Sequence, residues 1–208
     1  IPYDKYRGHY EFTIKNRIWH ASEKKNSSFK PELQGREVTA YSTNWSGKTW
    51  ISYGPWLAAP RNPKFFTQER ILIREITNPR ILAAFTQDEY YNTPSIINIT
   101  DFHEVDPYFL LGLLNSRLLS FYHIENSPKS KKGLFPKILV NDVRELPIRL
   151  VPGKHAKSIA DLARSITRAK EKDSAVDTDE LERESDQHVY AIYGLTPEEI
   201  AIVEGTAK

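Results

Sequence analysis

The longest apolar pattern in the chain lies between residues 106 and 148. From Phe109 to Tyr122, apolar side chains occupy nearly every side of a helical projection, and a helix without a polar face is buried inside a fold. Asp106 can cap the first turn, and Pro107 stands at the first helical position, where a missing N–H costs no hydrogen bond. The pattern therefore predicts a long buried helix that begins after Asp106.

A polar stretch that carries three lysines follows this helix at residues 126–133, and apolar residues return from Leu134 to Ile148. We expect a basic loop at the surface, held between two buried segments. Residues 126–157 contain eight basic side chains against two acidic ones. This arrangement suits a platform that presents positive charge to a polyanion.

Shorter patterns fill the first hundred residues. Tyr10, Phe12 and Ile14 alternate with polar residues, which is typical of a strand. Similar patterns predict strands within residues 48–53, 70–76 and 95–100, separated by proline- and glycine-containing turns. Short strands followed by a long helix predict an α+β fold.

The character of the chain changes after Pro152-Gly153. Apolar residues recur at helical spacing between residues 159 and 166 and again between residues 181 and 192. Gly194 is a typical left-handed helix stop, and Thr196-Pro197 followed by Glu199 predicts a capping box. The sequence thus predicts a strand-rich domain with a long buried helix at residues 1–150, and a helical C-terminal extension at residues 151–208.

The amino-acid composition excludes several classes of protein. With 39% hydrophobic residues among 208, the chain can form a substantial core, and it has no cysteines for disulfides, thiolate metal sites or nucleophiles. Neither a signal peptide nor an apolar run long enough to cross a bilayer is present, so we expect a cytoplasmic protein without a membrane partner. Because it begins at Ile1-Pro2 without methionine, the chain reads as part of a longer protein.

The net charge of +2 conceals a strong asymmetry. Residues 171–204 contain eleven acidic and two basic side chains, a net charge of −9. Lys208 adds one positive charge, so residues 1–170 carry +10. Such a division predicts a nucleic-acid partner for the first part of the chain.

Complete catalytic motifs are missing from the sequence. The nine glycines form no GxGxxG or phosphate-binding loop, and the six histidines show no paired metal-ligand spacing. Asn62-Pro63-Lys64-Phe65 comes nearest to the Asn/Asp-Pro-Pro-Tyr/Phe motif of amino methyltransferases but lacks the second proline. Glu23-Lys24-Lys25 has the Glu-x-Lys form of metal-dependent nucleases without a preceding Pro-Asp. We therefore expect no catalytic residue, metal or cofactor in this chain.

The candidates that remain are basic and polar side chains in predicted loops. Lys and Arg contact phosphates, whereas Arg, Asn, Tyr and similar side chains can read base edges. Candidate base readers are Arg61, Asn62, Lys64, Tyr90 and Asn92. The full set of candidate DNA-binding residues is Arg36, Lys48, Arg61, Asn62, Lys64, Tyr90, Asn92, Lys129, Lys131 and Lys132.

Several stretches, in this order, resemble the C-terminal specificity domain of TaqI-like adenine-N6 DNA methyltransferases and of type IIG restriction–modification enzymes. Residues 35–41 resemble the family's Gly-Arg-Asp-Ile-x-x-Tyr motif, and residues 65–76 resemble its Lys-Ile-Leu-x-Arg strand, with Arg70 where lysine is usual. Residues 110–119 match its Leu-Leu-Asn-Ser helix, and residues 135–148 match the segment that follows. Residues 188–204 are similar to the Tyr-Gly-Leu-Thr-x-Glu-Glu-Ile tail of type IIG members.

The resemblance implies a target recognition domain that reads duplex DNA within a restriction–modification protein. In such enzymes a methyltransferase domain of the same chain binds S-adenosylmethionine and flips an adenine out of the duplex. Mg²⁺ would be a further cofactor of a parent that also cuts DNA. Target-reading loops differ between members, so the resemblance assigns no base-contacting residue.

Two other classes of function stay open. A protein-interaction module could dock through the acidic helices, and charge reversal at Glu182, Glu184 and Asp186 would then disrupt assembly. A residual nuclease would show metal-dependent DNA cleavage by the isolated chain.

Overall fold

The computed structural model describes residues 2–77, 80–127 and 136–205. The strands are β1 His20–Ala21, β2 Phe29–Leu33, β3 Val38–Thr39, β4 Ser42–Thr43, β5 Trp50–Ser52, β6 Arg70–Arg74, β7 Ala83–Thr86, β8 Tyr91–Asn92 and β9 Ile96–Ile99. The helices are α1 Glu11–Lys15, α2 Lys64–Thr67, α3 Pro107–Asn115, α4 Arg117–Asn126, α5 Val140–Arg144, α6 Lys154–Lys172, α7 Asp179–Tyr193 and α8 Pro197–Val203, with 3₁₀ turns at Lys5–Arg7 and Gly35–Glu37. The predicted α+β class is confirmed.

Three small sheets form the strand-rich part of the described chain. The first has the order β1-β5-β2-β8, in which β8 runs parallel to β2 and the other pairs are antiparallel. The second has the antiparallel order β7-β6-β9, and the third is the antiparallel pair of β3 and β4. Leu33 and Val38 share an apolar cluster with Leu72 and Ala84, which joins the three sheets. The strands predicted within residues 48–53, 70–76 and 95–100 are confirmed as β5, β6 and β9.

The strand predicted at residues 10–14 is wrong, because this segment forms the short helix α1. Tyr10 is 82% exposed and Phe12 is 72% exposed, so neither side chain lies on a buried sheet face. Among the described residues, no strand pairs with this segment, and its backbone bonds are local, as in the 3.2 Å bond from Ile14 N to Tyr10 O. Alternating residues indicate a strand only where a neighbouring strand completes the hydrogen bonds.

The helical segment begins after Asp106, as predicted, but it is divided into α3, which is largely buried, and α4, which is buried on one side only and leaves Tyr122 36% exposed. The Asp106 carboxylate accepts a 2.9 Å hydrogen bond from Tyr108 N at the start of α3. The Ser116 hydroxyl donates to Leu113 O at 2.7 Å and accepts from Leu119 N at 3.2 Å. One serine therefore ends α3 and caps α4, which breaks the single predicted helix.

Asn115 joins the helices to the three-stranded sheet. Its side-chain oxygen accepts from Ala83 N at 3.0 Å, and its side-chain nitrogen donates to Ala83 O at 3.0 Å and to Leu111 O at 3.2 Å. The amide thus satisfies both backbone groups of one β7 residue, as a neighbouring strand would. In the sequence motif, Asn115 therefore attaches α3 to the sheet, and Ser116 divides the helical segment in two.

Helix α6 packs against α3 at Gly112. A Cβ atom on Gly112 would lie 2.4 Å from Ile159 Cγ2, so glycine permits the close approach of the two helices. Ala163 and Ile166 share one apolar cluster with Leu111 and with strand residues such as Ile71. The core is therefore continuous across residue 150, and the division into domains at that point stays a prediction.

Two acidic side chains of α7 form ion pairs inside the fold. Glu182 pairs with Arg80 at 2.7 Å, and the Asp186 carboxylate accepts from Arg117 N at 2.9 Å and pairs with the Arg117 guanidinium at 3.4 Å. Burial raises the pKa of Asp186 to about 6, and the neighbouring arginine opposes this effect. These two acids hold α7 to the rest of the molecule.

The predicted ends of the C-terminal helices are confirmed. Gly194 adopts φ 70° after α7, and Leu195 N donates to Tyr190 O at 3.1 Å. The Thr196 hydroxyl accepts from Glu199 N, and the Glu199 carboxylate accepts from Thr196 N at 2.8 Å, which completes the capping box. Within the ranges that the structure describes, no helix has the length and hydropathy needed to cross a membrane.

Candidate nucleic-acid interface

An open groove of about 380 Å³ lies where the 3₁₀ turn after β2 meets the end of β6 and the β8–β9 connection. Two arginines, from different elements, contribute to its walls, together with hydroxyl and amide side chains. We call this feature the basic groove; it is lined by Gln34, Gly35, Arg36, Arg74, Ile76, Thr93 and Ser95.

The turn that carries Arg36 is fixed by the glutamate that follows it. The Glu37 carboxylate is buried, and it accepts hydrogen bonds from Gln34 N at 2.8 Å and from Ser46 N at 2.9 Å. Its charge is therefore held by backbone amides inside the fold. Arg36 lies on the exposed side of the same turn.

Gly35 allows the turn to lie directly against the β8–β9 connection. Gly35 N donates to the Ser95 hydroxyl at 3.2 Å, and a Cβ atom on Gly35 would lie 2.9 Å from that oxygen. The Thr93 and Ser95 hydroxyls are 2.6 Å apart, and the Asn92 side-chain nitrogen donates to Thr93 O and to Ile96 O at 3.3 Å. This wall of the groove is therefore ordered before any ligand binds.

Arg74 also lines the groove and was not among the residues predicted from the sequence. It is the last residue of β6 and pairs in register with Ile96 of β9. The next residue, Glu75, instead pairs with Lys137 at 3.3 Å. Among the described residues, no carboxylate lies within 4.0 Å of the guanidinium of Arg74 or of Arg36.

The chain that follows the lysine-bearing stretch is attached beside this groove. Thr77 N donates to Pro136 O at 2.9 Å, and Ile138 N donates to Glu75 O at 2.8 Å. Lys137 forms an isolated antiparallel bridge with Ile76, one of the groove residues. The candidates Lys129, Lys131 and Lys132 lie outside the described residues, so their role stays a prediction.

Lys48 is placed near the basic groove by strand pairing. Glu32 N donates to Thr49 O at 2.9 Å, so the β4–β5 connection lies beside the C-terminal end of β2. The turn with Arg36 follows that same end of β2. Both cations are exposed, and they lie at one end of the four-stranded sheet.

Three other candidates lie in the connection after β5, which leads into α2; the Phe66 ring of α2 stacks on Tyr91 of β8 with a centroid distance of 4.7 Å. Arg61 N donates to the Tyr53 hydroxyl at 2.6 Å, and that hydroxyl donates to Arg61 O at 2.8 Å. The Asn62 side chain accepts from Lys64 N at 3.0 Å, and the side chains of Arg61, Asn62 and Lys64 are exposed. The candidates thus belong to two separate segments, the chain around the turn after β2 and the connection after β5.

Tyr90 and Asn92 are engaged within the fold. The Tyr90 ring centroid lies 5.9 Å from that of Trp45, against the cluster that joins the sheets, and burial raises the pKa of the Tyr90 hydroxyl. The Asn92 amide nitrogen is used in the β8–β9 connection. Their predicted role as base readers stays a prediction.

Arg70 organises the loop that precedes β8. It is fully buried and donates to Gln68 O at 2.8 Å, to Asp88 O at 3.0 Å and to Tyr90 O at 3.1 Å. Burial lowers the pKa of Arg70 to about 10, so the side chain stays charged at neutral pH. This buried cation therefore has a structural role, which the sequence alone did not indicate.

Metal ligands are not gathered in this region. Across residues 2–77, 80–127 and 136–205, no group of three or more His, Asp or Glu side chains is arranged to hold a metal ion.

Comparison with known proteins gives concordant results. Residues 30–148, which include the basic groove, match the family described as the TaqI-like C-terminal specificity domain. The chain is 28% identical over 182 residues to a putative type II restriction enzyme and methyltransferase of Methanocaldococcus jannaschii, RM.MjaORFECS2P, covering 83% of this chain and 15% of that protein. The fold resembles that of the type IIL restriction-modification enzyme MmeI, solved in complex with DNA, with a TM-score of 0.62 and 16% identity over 99% of this chain and 34% of that one.

Proposed function

Because the chain belongs to the family of TaqI-like C-terminal specificity domains, we propose that it binds duplex DNA sequence-specifically as the target recognition domain of a restriction–modification protein. The observation that carries this proposal is the basic groove, where Arg36 and Arg74 have no carboxylate partner among the described residues. Guanidinium groups without such partners are suited to phosphate and base contacts. The related fold of MmeI was solved with DNA bound, which supports the same conclusion.

We assign the catalytic activities of the parent protein to domains outside the present chain. The chain spans 15% of the relative from M. jannaschii, whose name combines restriction and methylation. We assign adenine-N6 methylation, and the S-adenosylmethionine it uses, to a methyltransferase domain of the same parent chain. Mg²⁺ would serve a nuclease domain in a parent that also cuts DNA. The present chain contributes DNA binding and positioning.

The two groups of candidates suggest how a duplex is held. The chain around the turn after β2 and the connection after β5 both carry exposed cations. Such side chains can contact the phosphates of the DNA backbone. Phosphate contacts would fix the register, and side chains between them would read the bases.

Part of the negative charge of the acidic helices is already paired with arginines within the fold, so it is not available to a partner. Glu182 and Asp186 already pair with Arg80 and Arg117 within the fold. Charge reversal at these two positions would disturb folding under any function. Glu184 is exposed and is the appropriate position for testing the protein-interaction alternative.

The proposal predicts strongly salt-dependent binding to DNA. We expect the affinity of the purified protein for a fluorescent 30-base-pair duplex of randomised sequence to fall at least about a hundredfold between 50 and 200 mM NaCl, because each phosphate contact releases counterions. Fluorescence anisotropy measures this. Glu184→Lys should bind the duplex at least as tightly as the unchanged protein. Undetectable binding at 50 mM NaCl, or an affinity that does not change with the NaCl concentration, would contradict the proposal.

A further inference from the structure

We infer that the basic groove binds a phosphodiester group of the DNA backbone between Arg36 and Arg74. This inference rests on the proposed function and specifies which part of the duplex enters which site. It also adds Arg74 to the DNA-contacting residues, although this arginine stands within a strand pattern and not in a predicted loop.

Charge favours an anion in this groove. The acidic residues adjacent to the two arginines in sequence are both occupied elsewhere: Glu37 accepts two backbone N–H groups, and Glu75 pairs with Lys137. The positive charges of Arg36 and Arg74 are therefore not neutralised by those neighbours. An anion between them would gain charge-assisted hydrogen bonds from two sides.

The placement of the arginines favours phosphate over a base edge. They belong to different elements, a turn after β2 and the end of β6, and both line one groove. A phosphate presents oxygens in several directions, so it can accept hydrogen bonds from both walls. A guanine edge is planar and takes one bidentate arginine. The DNA backbone is also the outermost part of the duplex, whereas base edges are reached by side chains that protrude.

The walls of the groove are ordered by contacts that a ligand need not form. Ser95 accepts from Gly35 N, and the neighbouring hydroxyls of Thr93 and Ser95 are 2.6 Å apart. The Asn92 amide nitrogen donates to two backbone oxygens of the same connection. Binding would therefore order few groups beyond the two arginine side chains, which lowers the entropic cost.

The test compares variants in the dependence of DNA affinity on salt, because phosphate contacts are independent of sequence. Arg36→Gln and Arg74→Gln are each expected to reduce the slope of log K against log[NaCl] by about 0.9 on the randomised 30-base-pair duplex. Arg183→Gln removes the same charge from the exposed side of α7 and should leave the slope unchanged. Arg74→Lys keeps the charge and should keep the slope, with weaker binding from the loss of bidentate geometry.

The outcomes separate this inference from the proposed function. If the unchanged protein binds with a steep slope and both glutamine variants retain it, the groove is not a phosphate site, and DNA binding itself still stands. If Arg74→Gln changes which sequences are preferred while the slope is kept, the groove reads bases and the inference is overturned. If the unchanged protein shows no salt-dependent binding, the proposed function fails. Arg36 is exposed, so its variant serves the test even if Arg74→Gln does not fold.

Discussion

Replacement of Arg70 by alanine is expected to lower the free energy of unfolding by about 3–5 kcal/mol. The guanidinium donates to three backbone carbonyl oxygens and is fully buried. Alanine would leave these carbonyls without their donor and would open a cavity where the long side chain lay. The loop at residues 87–90 would lose its attachment to β6, and Tyr90 would lose part of its position beside Trp45.

Urea denaturation followed by tryptophan fluorescence measures this effect, because Trp45 lies in the affected cluster. Arg70→Lys should lose less stability, since it keeps the charge and part of the hydrogen bonding. Arg144→Ala, at an exposed position of α5, is the matched control and should change stability by less than about 0.5 kcal/mol. A loss below about 1 kcal/mol for Arg70→Ala would show that the buried cation does not hold the loop.

Replacement of Asn115 by leucine is expected to cost about 3 kcal/mol, although the two side chains have similar shapes. The leucine would leave Ala83 N without a partner in a buried site. It would also remove the bonds to Leu111 O and to Ala83 O, which keeps only its 2.8 Å bond from Tyr41 N. A buried backbone N–H without a partner costs a large part of its desolvation energy. The contact between α3 and β7 would therefore weaken, even though apolar area is gained.

Thermal unfolding followed by circular dichroism measures this loss as a lower Tm. Asn141→Leu, at an exposed position of α5, is the control and should leave Tm nearly unchanged. An Asn115→Leu variant with the Tm of the unchanged protein would contradict the role given to this amide.

Elements governed by local signals could be predicted from the sequence. The start of α3 at Asp106, the stop at Gly194 and the capping box at Thr196 depend on residues within one turn of each other. The break at Ser116 was missed because apolar periodicity continues across it. Asn115 and Ser116 divide the helix through bonds to the backbone, one of them to a residue 32 positions away.

The candidate site could be predicted only in part. Arg36 was found because it lies in a loop-like motif, whereas Arg74 was hidden within a strand pattern. Both line one groove because β8 pairs in parallel with β2 and β9 pairs with β6, which brings residues 35 and 95 into contact. Pairings between residues this far apart leave no local pattern. For the same reason, the sequence could not show that Tyr90 packs on Trp45.

The family motif at residues 35–37 has a physical explanation in these contacts. Gly35 permits the close approach to Ser95, Glu37 fixes the turn through two backbone amides, and Arg36 is left free to project from it. Each of the three positions therefore has a different task, and together they form one wall of the basic groove.

Selection from a duplex pool with a fully randomised central segment tests most directly whether this chain reads DNA sequence. The purified protein would be incubated with the pool, and bound duplexes would be recovered and sequenced over several rounds. We predict enrichment of one short motif, with a consensus duplex bound more tightly than the starting pool at the same salt concentration. Recovery of duplexes without any common motif would contradict a role in target recognition.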